Sequence, residues 1–174
     1  MKVSNVIETP RLFLRPFAEE DAEVFYLLNL DEEVMRFTGD VPFDTVEASR
    51  QFILAYSEYD KHGYGRFSVV TKSSSQVIGW CGLKYHPDED YTDLGYRILR
   101  QYWGRGYATE ASVACVSYGF KTLGLDEIIG RTAQENTASV RVLEKIGMRF
   151  WKKASCEGIE NSVFYRINRE EWGR

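Results

Sequence analysis

The sequence is poor in the residues that build disulfide frameworks and metal clusters. It has three cysteines in 174 residues, namely Cys81, Cys115 and Cys156. An odd number of cysteines without metal-ligand spacing fits neither a disulfide scaffold nor a zinc site. We therefore expect reduced thiols in a cytoplasmic protein, and no bound metal.

Long apolar runs are also missing. The first residues are polar and no membrane-length hydrophobic stretch follows, so we expect neither a signal peptide nor a membrane span. No linker, repeat or low-complexity segment interrupts the chain. Because 44% of the residues are hydrophobic and 14% are aromatic, the composition excludes disorder. These features predict a single domain over residues 1–174.

Positive charge is scarce in the first third of the chain. Residues 1–60 carry five Lys/Arg and thirteen Asp/Glu, a net charge of −8, whereas the remainder carries seventeen and thirteen, a net charge of +4. The total of −4 argues against nucleic acid as the main partner. This asymmetry suggests a cationic substrate on one side and an anionic cofactor on the other, with solvated helix faces as the alternative.

The most informative segment is residues 93–111, which reads as a strand, a glycine-rich turn and a helix of small residues. Gly104 and Gly106 permit positive φ angles and a close approach of a ligand to the backbone. A helix that begins directly after such a turn presents unpaired N–H groups and a positive dipole end, which bind anions. Arg100 and Arg105 add charge. We predict a pyrophosphate site for a nucleotide-type cofactor, with glycine serving turn geometry alone as the alternative.

Two common phosphate-binding motifs do not fit this turn. A P-loop requires Gly, four residues, and then Gly-Lys-Ser/Thr, which the sequence lacks. A dinucleotide fingerprint requires a third glycine where Thr109 stands, and no repeated βαβ pattern occurs. A dinucleotide-dependent oxidoreductase is therefore a distant alternative.

Hydrophobic periodicity predicts a mixed sheet with helices. Strands are expected at residues 11–17, 66–71, 76–85, 91–99, 127–132, 148–154 and 162–167. Helices are expected at residues 19–30, 45–59, 106–122 and 137–145. The three strands between residues 66 and 99 read as consecutive antiparallel neighbours.

A second segment makes a family resemblance specific. The glycine turn contains Gln101, Gly104, Gly106 and Ala108. The second segment contains Asn136, Ser139 and residues 143–147. This combination resembles the GNAT superfamily of acetyl-coenzyme A-dependent N-acetyltransferases. Within it, residues 9–16, the Gly95-Tyr96 pair and residues 102–111 resemble the ribosomal-protein N-terminal (alanine/serine) acetyltransferase branch. The resemblance extends from about residue 8 to residue 167.

The resemblance implies an α+β (mixed α/β) domain whose mostly antiparallel central sheet is splayed at the cofactor site and flanked by helices. It implies acetyl-coenzyme A as cosubstrate and a primary amine as acceptor, in this branch an N-terminal α-amine such as that of a ribosomal protein. A small-molecule amine, or a non-catalytic acyl-coenzyme A sensor, are alternatives. The cofactor-binding residues that it implies are Ile98, Leu99, Gln101, Gly104, Arg105, Gly106, Ala108, Thr109 and Asn136.

Two catalytic assignments follow from the same resemblance. The wider superfamily often has a tyrosine seven residues after the asparagine, but Leu143 stands there and cannot donate a proton. Ser139 is the hydroxyl that the branch offers to the departing thiolate, with an ordinary helix serine as the alternative. Asp93 occupies the usual place of a glutamate and is the predicted base, with an ion-paired carboxylate as the alternative. Asn136 is expected either to bind the pantetheine arm or to cap a helix.

The alternatives for the base lie in one neighbouring segment. His86 and the acidic loop at residues 88–90 lie shortly before Asp93 and are alternative candidates for the base. The competing interpretation is that this loop only turns the chain.

Overall fold

An eight-stranded mixed sheet forms the centre of the computed structural model, which describes residues 7–156 and 158–173. The strands are β1 (Ile7–Glu8), β2 (Leu12–Arg15), β3 (Arg66–Thr71), β4 (Val77–His86), β5 (Tyr91–Ile98), β6 (Glu127–Ala133), β7 (Arg149–Cys156) and β8 (Ile159–Asn168). Their spatial order is β1-β2-β3-β4-β5-β6-β8-β7. All neighbouring pairs are antiparallel except β5 and β6, which are parallel. The expected mostly antiparallel sheet is confirmed.

Six helices accompany the sheet in the described ranges. They are α1 (Ala22–Leu30), α2 (Glu32–Met35), α3 (Val46–Leu54), α4 (Glu58–His62), α5 (Tyr107–Lys121) and α6 (Thr137–Lys145). Short 3-10 turns cover Glu19–Asp21 and Arg100–Tyr102. Over residues 7–156 and 158–173, none of the helices has the length and apolarity needed to cross a bilayer.

Helix α5 packs closely on one face of the sheet. Ala111, Cys115 and Gly119 on this helix are buried in the main hydrophobic core. A Cβ atom on Gly119 would lie 2.7 Å from Ile128 Cδ1 and 2.9 Å from Leu83 Cδ1. The small residues therefore allow the helix to approach β4 and β6, as the composition of residues 106–122 predicts.

The opposite face carries a smaller cluster around α1 and α3. Asp21, directly before α1, is almost fully buried and accepts hydrogen bonds from both Arg15 Nη atoms at 2.8 Å and from Ser68 Oγ at 2.5 Å. Burial opposes ionisation of Asp21, but these hydrogen bonds outweigh it and lower its pKa. This carboxylate joins the start of α1 to β2 and β3.

Tertiary hydrogen bonds divide the single helix expected over residues 45–59. The structure has α3 and α4 in its place, separated by residues 55–57. Tyr56 Oη accepts a hydrogen bond from Arg66 N–H at 2.9 Å, and Tyr59 Oη donates to the Arg66 carbonyl. Both phenols therefore bind the first residue of β3, a constraint that helical periodicity does not reveal. The strand expected at residues 11–17 is also shorter and ends before Pro16, which has no N–H to donate.

Strands β5 and β6 diverge after a short parallel contact. They pair only at Asp93–Ile129 and Leu94–Gly130. Beyond that point residues 95–98 of β5 pair with β4 alone, and residues 131–133 of β6 pair with β8 alone. We call the space between these two segments the interstrand gap. The gap opens at the carboxyl ends of both strands, where ligands of open α/β sheets bind. Along the chain, α5 is the next α-helix after β5 and α6 is the next after β6.

Candidate active site

The predicted glycine turn has the backbone geometry of an anion site. Gly104 has φ +71° and Gly106 has φ +80°, both in the left-handed region that favours glycine. Gly106 precedes α5 and provides no side-chain cap. The first backbone hydrogen bond of the helix runs from Glu110 N–H to the Gly106 carbonyl at 3.0 Å. The N–H groups of residues 107–109 therefore precede intrahelical bonding and can bind an anion.

The N-terminal segment holds this turn in place. Arg11 Nη1 donates to the Arg105 carbonyl at 2.9 Å, and Arg11 Nε pairs with Glu110 Oε2 at 2.6 Å. Thr9 Oγ1 donates to the other oxygen of Glu110 at 2.6 Å. Arg11 Nη2 lies 3.4 Å from the position of a Cβ on Gly106. Arg11 thus fastens the turn to the N-terminal segment, with its charge paired to Glu110, and the sequence does not reveal this contact because its partners lie about a hundred residues away.

The other residues predicted to bind the cofactor near the turn fall into two groups. Ala108 and Thr109 lie in the first turn of α5, where their backbone faces the anion site. Gln101 and Arg105 are exposed on the segment that leads into it. Both groups of predicted cofactor-binding residues therefore lie at the N-terminal end of α5.

Ile98, the last residue of β5, and Leu99, which follows it, differ in what their backbone can bind. Leu99 N–H donates to the Ile78 carbonyl at 2.8 Å, and the Leu99 carbonyl accepts from Tyr102 N–H at 2.9 Å. The geometry therefore disfavours Leu99 as a backbone ligand for the cofactor. Because backbone groups alternate sides along a strand, the N–H groups of Ile98 and Tyr96 face the interstrand gap. The Ile98 carbonyl is already occupied by Trp103 Nε1 at 2.7 Å.

Two hydroxyl groups meet across the interstrand gap. Ser139 Oγ in the first turn of α6 lies 3.0 Å from Tyr96 Oη on β5. Ser139 N–H donates to Asn136 Oδ1 at 3.2 Å, so Asn136 caps α6, one of the two roles expected for it. Burial raises the pKa of Tyr96 to about 12 despite its hydrogen bond with Ser139, which keeps the phenol protonated at neutral pH.

The Gly95-Tyr96 pair has a distinct structural reason for each of its residues. A Cβ on Gly95 would lie 2.8 Å from Arg66 Nη2, so glycine lets that guanidinium take its observed position. The Arg66 guanidinium carbon lies 4.5 Å from the centre of the Trp80 ring. Tyr96 points to the other face and reaches Ser139. In the sequence this pair carries a family resemblance only, and no local pattern predicts a role for Tyr96.

Asp93 lies in a buried ionic cluster on the opposite face of β5 from Tyr96. Its carboxylate is 3.1 Å from Arg131 Nε, 3.2 Å from His86 Nε2 and 3.5 Å from Arg66 Nη2. Burial alone would raise the pKa of Asp93, but the hydrogen bond from His86 and the charges of Arg66 and Arg131 hold it at about 2. A carboxylate with this pKa accepts a proton poorly at neutral pH. The geometry thus disfavours Asp93 as the general base and supports the ion-paired alternative.

The other residues considered for a catalytic role make their contacts away from the Tyr96–Ser139 pair. Leu143 is buried, and one of its methyl groups lies 2.5 Å from the position of a Cβ on Gly130. His86 belongs to the Asp93 cluster, and Asp90 accepts a hydrogen bond from Tyr85 Oη at 2.6 Å. Within the described part of the chain, no group of three or more His, Cys, Asp or Glu side chains is arranged to hold a metal ion.

The fold and the site have the geometry to accept an extended ligand with an anionic end. The gap between diverging parallel strands can accept a polar arm by strand-like hydrogen bonding, and the start of α5 can accept a phosphate. Comparison with known proteins shows to which family of such domains the chain belongs.

Residues 11–149 match the family model described as the acetyltransferase (GNAT) domain. A protein named FsC-acetyl coenzyme A-N(2)-transacetylase, from Aspergillus fumigatus, is 33% identical, covering 100% of this chain and 80% of its own length. A GNAT-family acetyltransferase from Bacillus anthracis is 32% identical with a TM-score of 0.81, covering 95% and 99% of the two chains. The chain belongs to the GNAT acetyltransferase family and is an N-acetyltransferase. Enzymes of this family use acetyl-coenzyme A.

A further solved structure shares the fold alone. It is a ribosomal-protein-S5-alanine acetyltransferase from Vibrio fischeri, 21% identical with a TM-score of 0.80, covering 98% of this chain and 100% of the other.

Gly104→Val tests the anion site against a closely matched control. Gly104 and Gly124 have φ +71° and +69°, and a Cβ on either would meet no atom within 4 Å. Both substitutions impose similar backbone strain, but only Gly104 lies in the turn before α5. We expect Gly104→Val to weaken coenzyme A binding at least tenfold and Gly124→Val to leave it within about twofold, as measured by calorimetry. Equal affinities in two folded variants would contradict the assignment.

Asp93→Asn tests whether Asp93 stabilises the fold or acts as the general base. Removing the charge takes the buried carboxylate away from two partly buried guanidinium groups, those of Arg66 and Arg131, which should cost ~3 kcal/mol in the free energy of unfolding. The depressed pKa means that the wild-type contribution is present above about pH 4 and is lost as the pH falls towards about 2. The difference between wild type and variant should shrink over that range in denaturant titrations.

Asp126→Asn is the control for this experiment, because Asp126 is a highly exposed partner of Arg169 and should change stability by less than ~0.5 kcal/mol. An Asp93→Asn variant of unchanged stability, whose lost activity returns at alkaline pH, would contradict the structural role and restore the basic one.

Proposed function

We propose that the enzyme transfers the acetyl group of acetyl-coenzyme A directly to the α-amine of a protein or peptide N-terminus. The observation that carries this proposal is the interstrand gap, with the glycine turn at one end and the Tyr96–Ser139 hydroxyl pair across it. In this proposal the pyrophosphate binds the N–H groups of residues 107–109, with Arg11 and Arg105 beside it. The pantetheine arm lies along the free edge of β5.

The reaction then needs few protein groups. The neutral amine attacks the thioester carbonyl, a C–N bond forms, and negative charge develops on the carbonyl oxygen. In this proposal the Ile98 N–H, directed into the gap, stabilises that charge. The C–S bond breaks with its electron pair on sulfur, and Ser139 Oγ–H donates a hydrogen bond to the thiolate. A thiol pKa of about 8.5 makes the thiolate a good leaving group that needs only modest assistance.

The protonation state of the acceptor favours an α-amine. The pKa of an α-amine is about 7.7–8.0 and that of lysine about 10.4, so exposing a neutral lysine amine at pH 7 costs about 3.4 kcal/mol more. Asp93, with a pKa of about 2, is a poor acceptor for that proton. An enzyme without a strong base favours the amine that is already partly neutral, which loses its proton to water.

A screen for amine-dependent thiol release tests the proposed acceptor. Peptides with free N-termini should release coenzyme A thiol, and the same peptides with blocked N-termini should not, even when they contain lysine. A set of small amines and polyamines completes the screen. Faster turnover of a small amine than of any peptide would contradict the proposed acceptor while leaving the N-acetyltransferase activity intact.

Ser139→Ala tests the role of the hydroxyl in the departure of the thiolate. Because the hydroxyl acts on charge that develops late, kcat should fall about tenfold while the Kd for coenzyme A stays within about twofold. Ser139→Thr keeps a hydroxyl and should keep most of the activity. An unchanged kcat in Ser139→Ala would mean that the thiolate leaves unaided or through water.

An acidic cleft near the site supports a cationic acceptor. This cleft is a shallow, open depression of about 470 Å³ and is lined by Leu27, Leu30, Asp31, Glu32, Glu33 and Arg100. Asp31 pairs with Arg100 at 3.0 Å, on the segment that joins β5 to the glycine turn. Elsewhere in the acidic third, Asp40 pairs with Arg97 at 2.5 Å. Glu33 lies 3.8 Å from Arg36 Nη1. Part of the −8 charge of residues 1–60 is thus used within the fold, and Glu32 carries the prediction of substrate capture.

Substrate charge should therefore change the rate of capture. At saturating acetyl-coenzyme A, kcat/KM should be higher for a basic than for a neutral peptide of equal length. The advantage should shrink as the Debye length falls from ~10 Å at 0.1 M salt to ~3 Å at 1 M. Glu32→Gln should reduce it and Glu170→Gln, at the other end of the chain, should not. Equal salt dependence for both peptides would mean that the acidic residues are solvated surface.

A further inference from the structure

We propose that Tyr96 is a positioning residue whose phenol donates a hydrogen bond to Ser139 Oγ and so directs the Ser139 hydroxyl hydrogen towards the thioester sulfur. This inference rests on the proposed function, in which Ser139 meets the departing thiolate. It adds a second hydroxyl, from the opposite wall of the interstrand gap.

The two residues are held by independent elements. Tyr96 lies two residues beyond Leu94, the last residue of β5 that pairs with β6. Ser139 lies in the first turn of α6, where its N–H is fixed by the side chain of Asn136. Their oxygens are 3.0 Å apart, so a single hydrogen bond closes this part of the gap.

Acidity decides the direction of that hydrogen bond. A phenol, with an ordinary pKa of about 10, is a stronger acid than an aliphatic alcohol and therefore the better donor. The alcohol oxygen is correspondingly the better acceptor. Because burial raises the pKa of Tyr96 to about 12, its hydrogen is present at neutral pH. Once Ser139 Oγ accepts from Tyr96, its own hydrogen is free to point into the gap.

The Tyr96–Ser139 pair compensates for the lack of a hydroxyl at position 143 of α6. Leu143 is buried against Gly130 and provides no hydroxyl. A chain of two hydroxyls is polarised from Tyr96 towards the sulfur, which strengthens the terminal hydrogen bond. The C–S electron pair stays on sulfur, and neither hydroxyl has to lose its proton. The proton that finally neutralises the thiolate is the one that the attacking nitrogen releases, carried by water.

A double-mutant cycle tests whether Tyr96 acts through Ser139. Tyr96→Phe removes one oxygen atom and should lower kcat about tenfold, with the Kd for coenzyme A within about twofold. Ser139→Ala should lower kcat to a similar extent. The double variant should be no slower than Ser139→Ala, because Tyr96 has nothing to orient once the serine hydroxyl is gone.

Another buried phenol provides the matched control. Tyr64 Oη lies 2.5 Å from Thr92 Oγ1, a pair of the same chemistry outside the interstrand gap. Tyr64→Phe should therefore retain the wild-type kcat. In the Ser139→Thr background, which keeps a hydroxyl, Tyr96→Phe should again lower kcat. Thermal unfolding midpoints establish that each variant is folded at the assay temperature.

The outcomes separate this inference from the proposed function. A wild-type enzyme that releases no thiol with any peptide or small amine would overturn the proposed function and this inference with it. An active wild-type enzyme whose Tyr96→Phe variant keeps its kcat would overturn the inference alone. The same holds if the two losses multiply in the double variant, since Tyr96 would then act independently of Ser139.

Discussion

The separation of β5 from β6 is the constraint on which the site depends. The strands pair at two positions, and the Asp93–Arg131 ion pair joins them at the point where they part. Arg66 and His86 surround the same carboxylate from β3 and β4. This buried cluster fixes the vertex of the interstrand gap, so its geometry is set by side chains that do not themselves face it.

The rest of the site is arranged around that opening. Helix α5 approaches the sheet closely because Ala111, Cys115 and Gly119 are small, and its first turn is held by the contacts of Arg11 and Thr9 with Glu110. Helix α6 begins at the Asn136 cap, which places Ser139 opposite Tyr96. The anion site and the hydroxyl pair therefore stand on separate elements that meet only because β5 and β6 diverge.

Features with a local physical cause could be predicted from the sequence. The glycine turn, α5, α6 and the strands from β3 to β6 were predicted close to their observed bounds, because positive φ angles and hydrophobic periodicity are properties of short segments. The break between α3 and α4 could not be predicted, since it depends on phenol contacts with Arg66. For the same reason the environment of Asp93 was not visible, because His86, Arg66 and Arg131 come from three other strands. The link between Tyr96 and Ser139 spans 43 residues and leaves no local pattern.

The central claim is that acetyl-coenzyme A lies in the interstrand gap with its pyrophosphate at the start of α5. Backbone amide hydrogen exchange, measured by NMR with and without coenzyme A, tests it most directly. The account predicts slower exchange on binding at Tyr96 and Ile98, whose N–H groups face the gap, and at residues 107–109. Leu99, which already donates to the Ile78 carbonyl, should change little. Saturating coenzyme A that leaves these amides unchanged and slows exchange on another part of the sheet would contradict the claim.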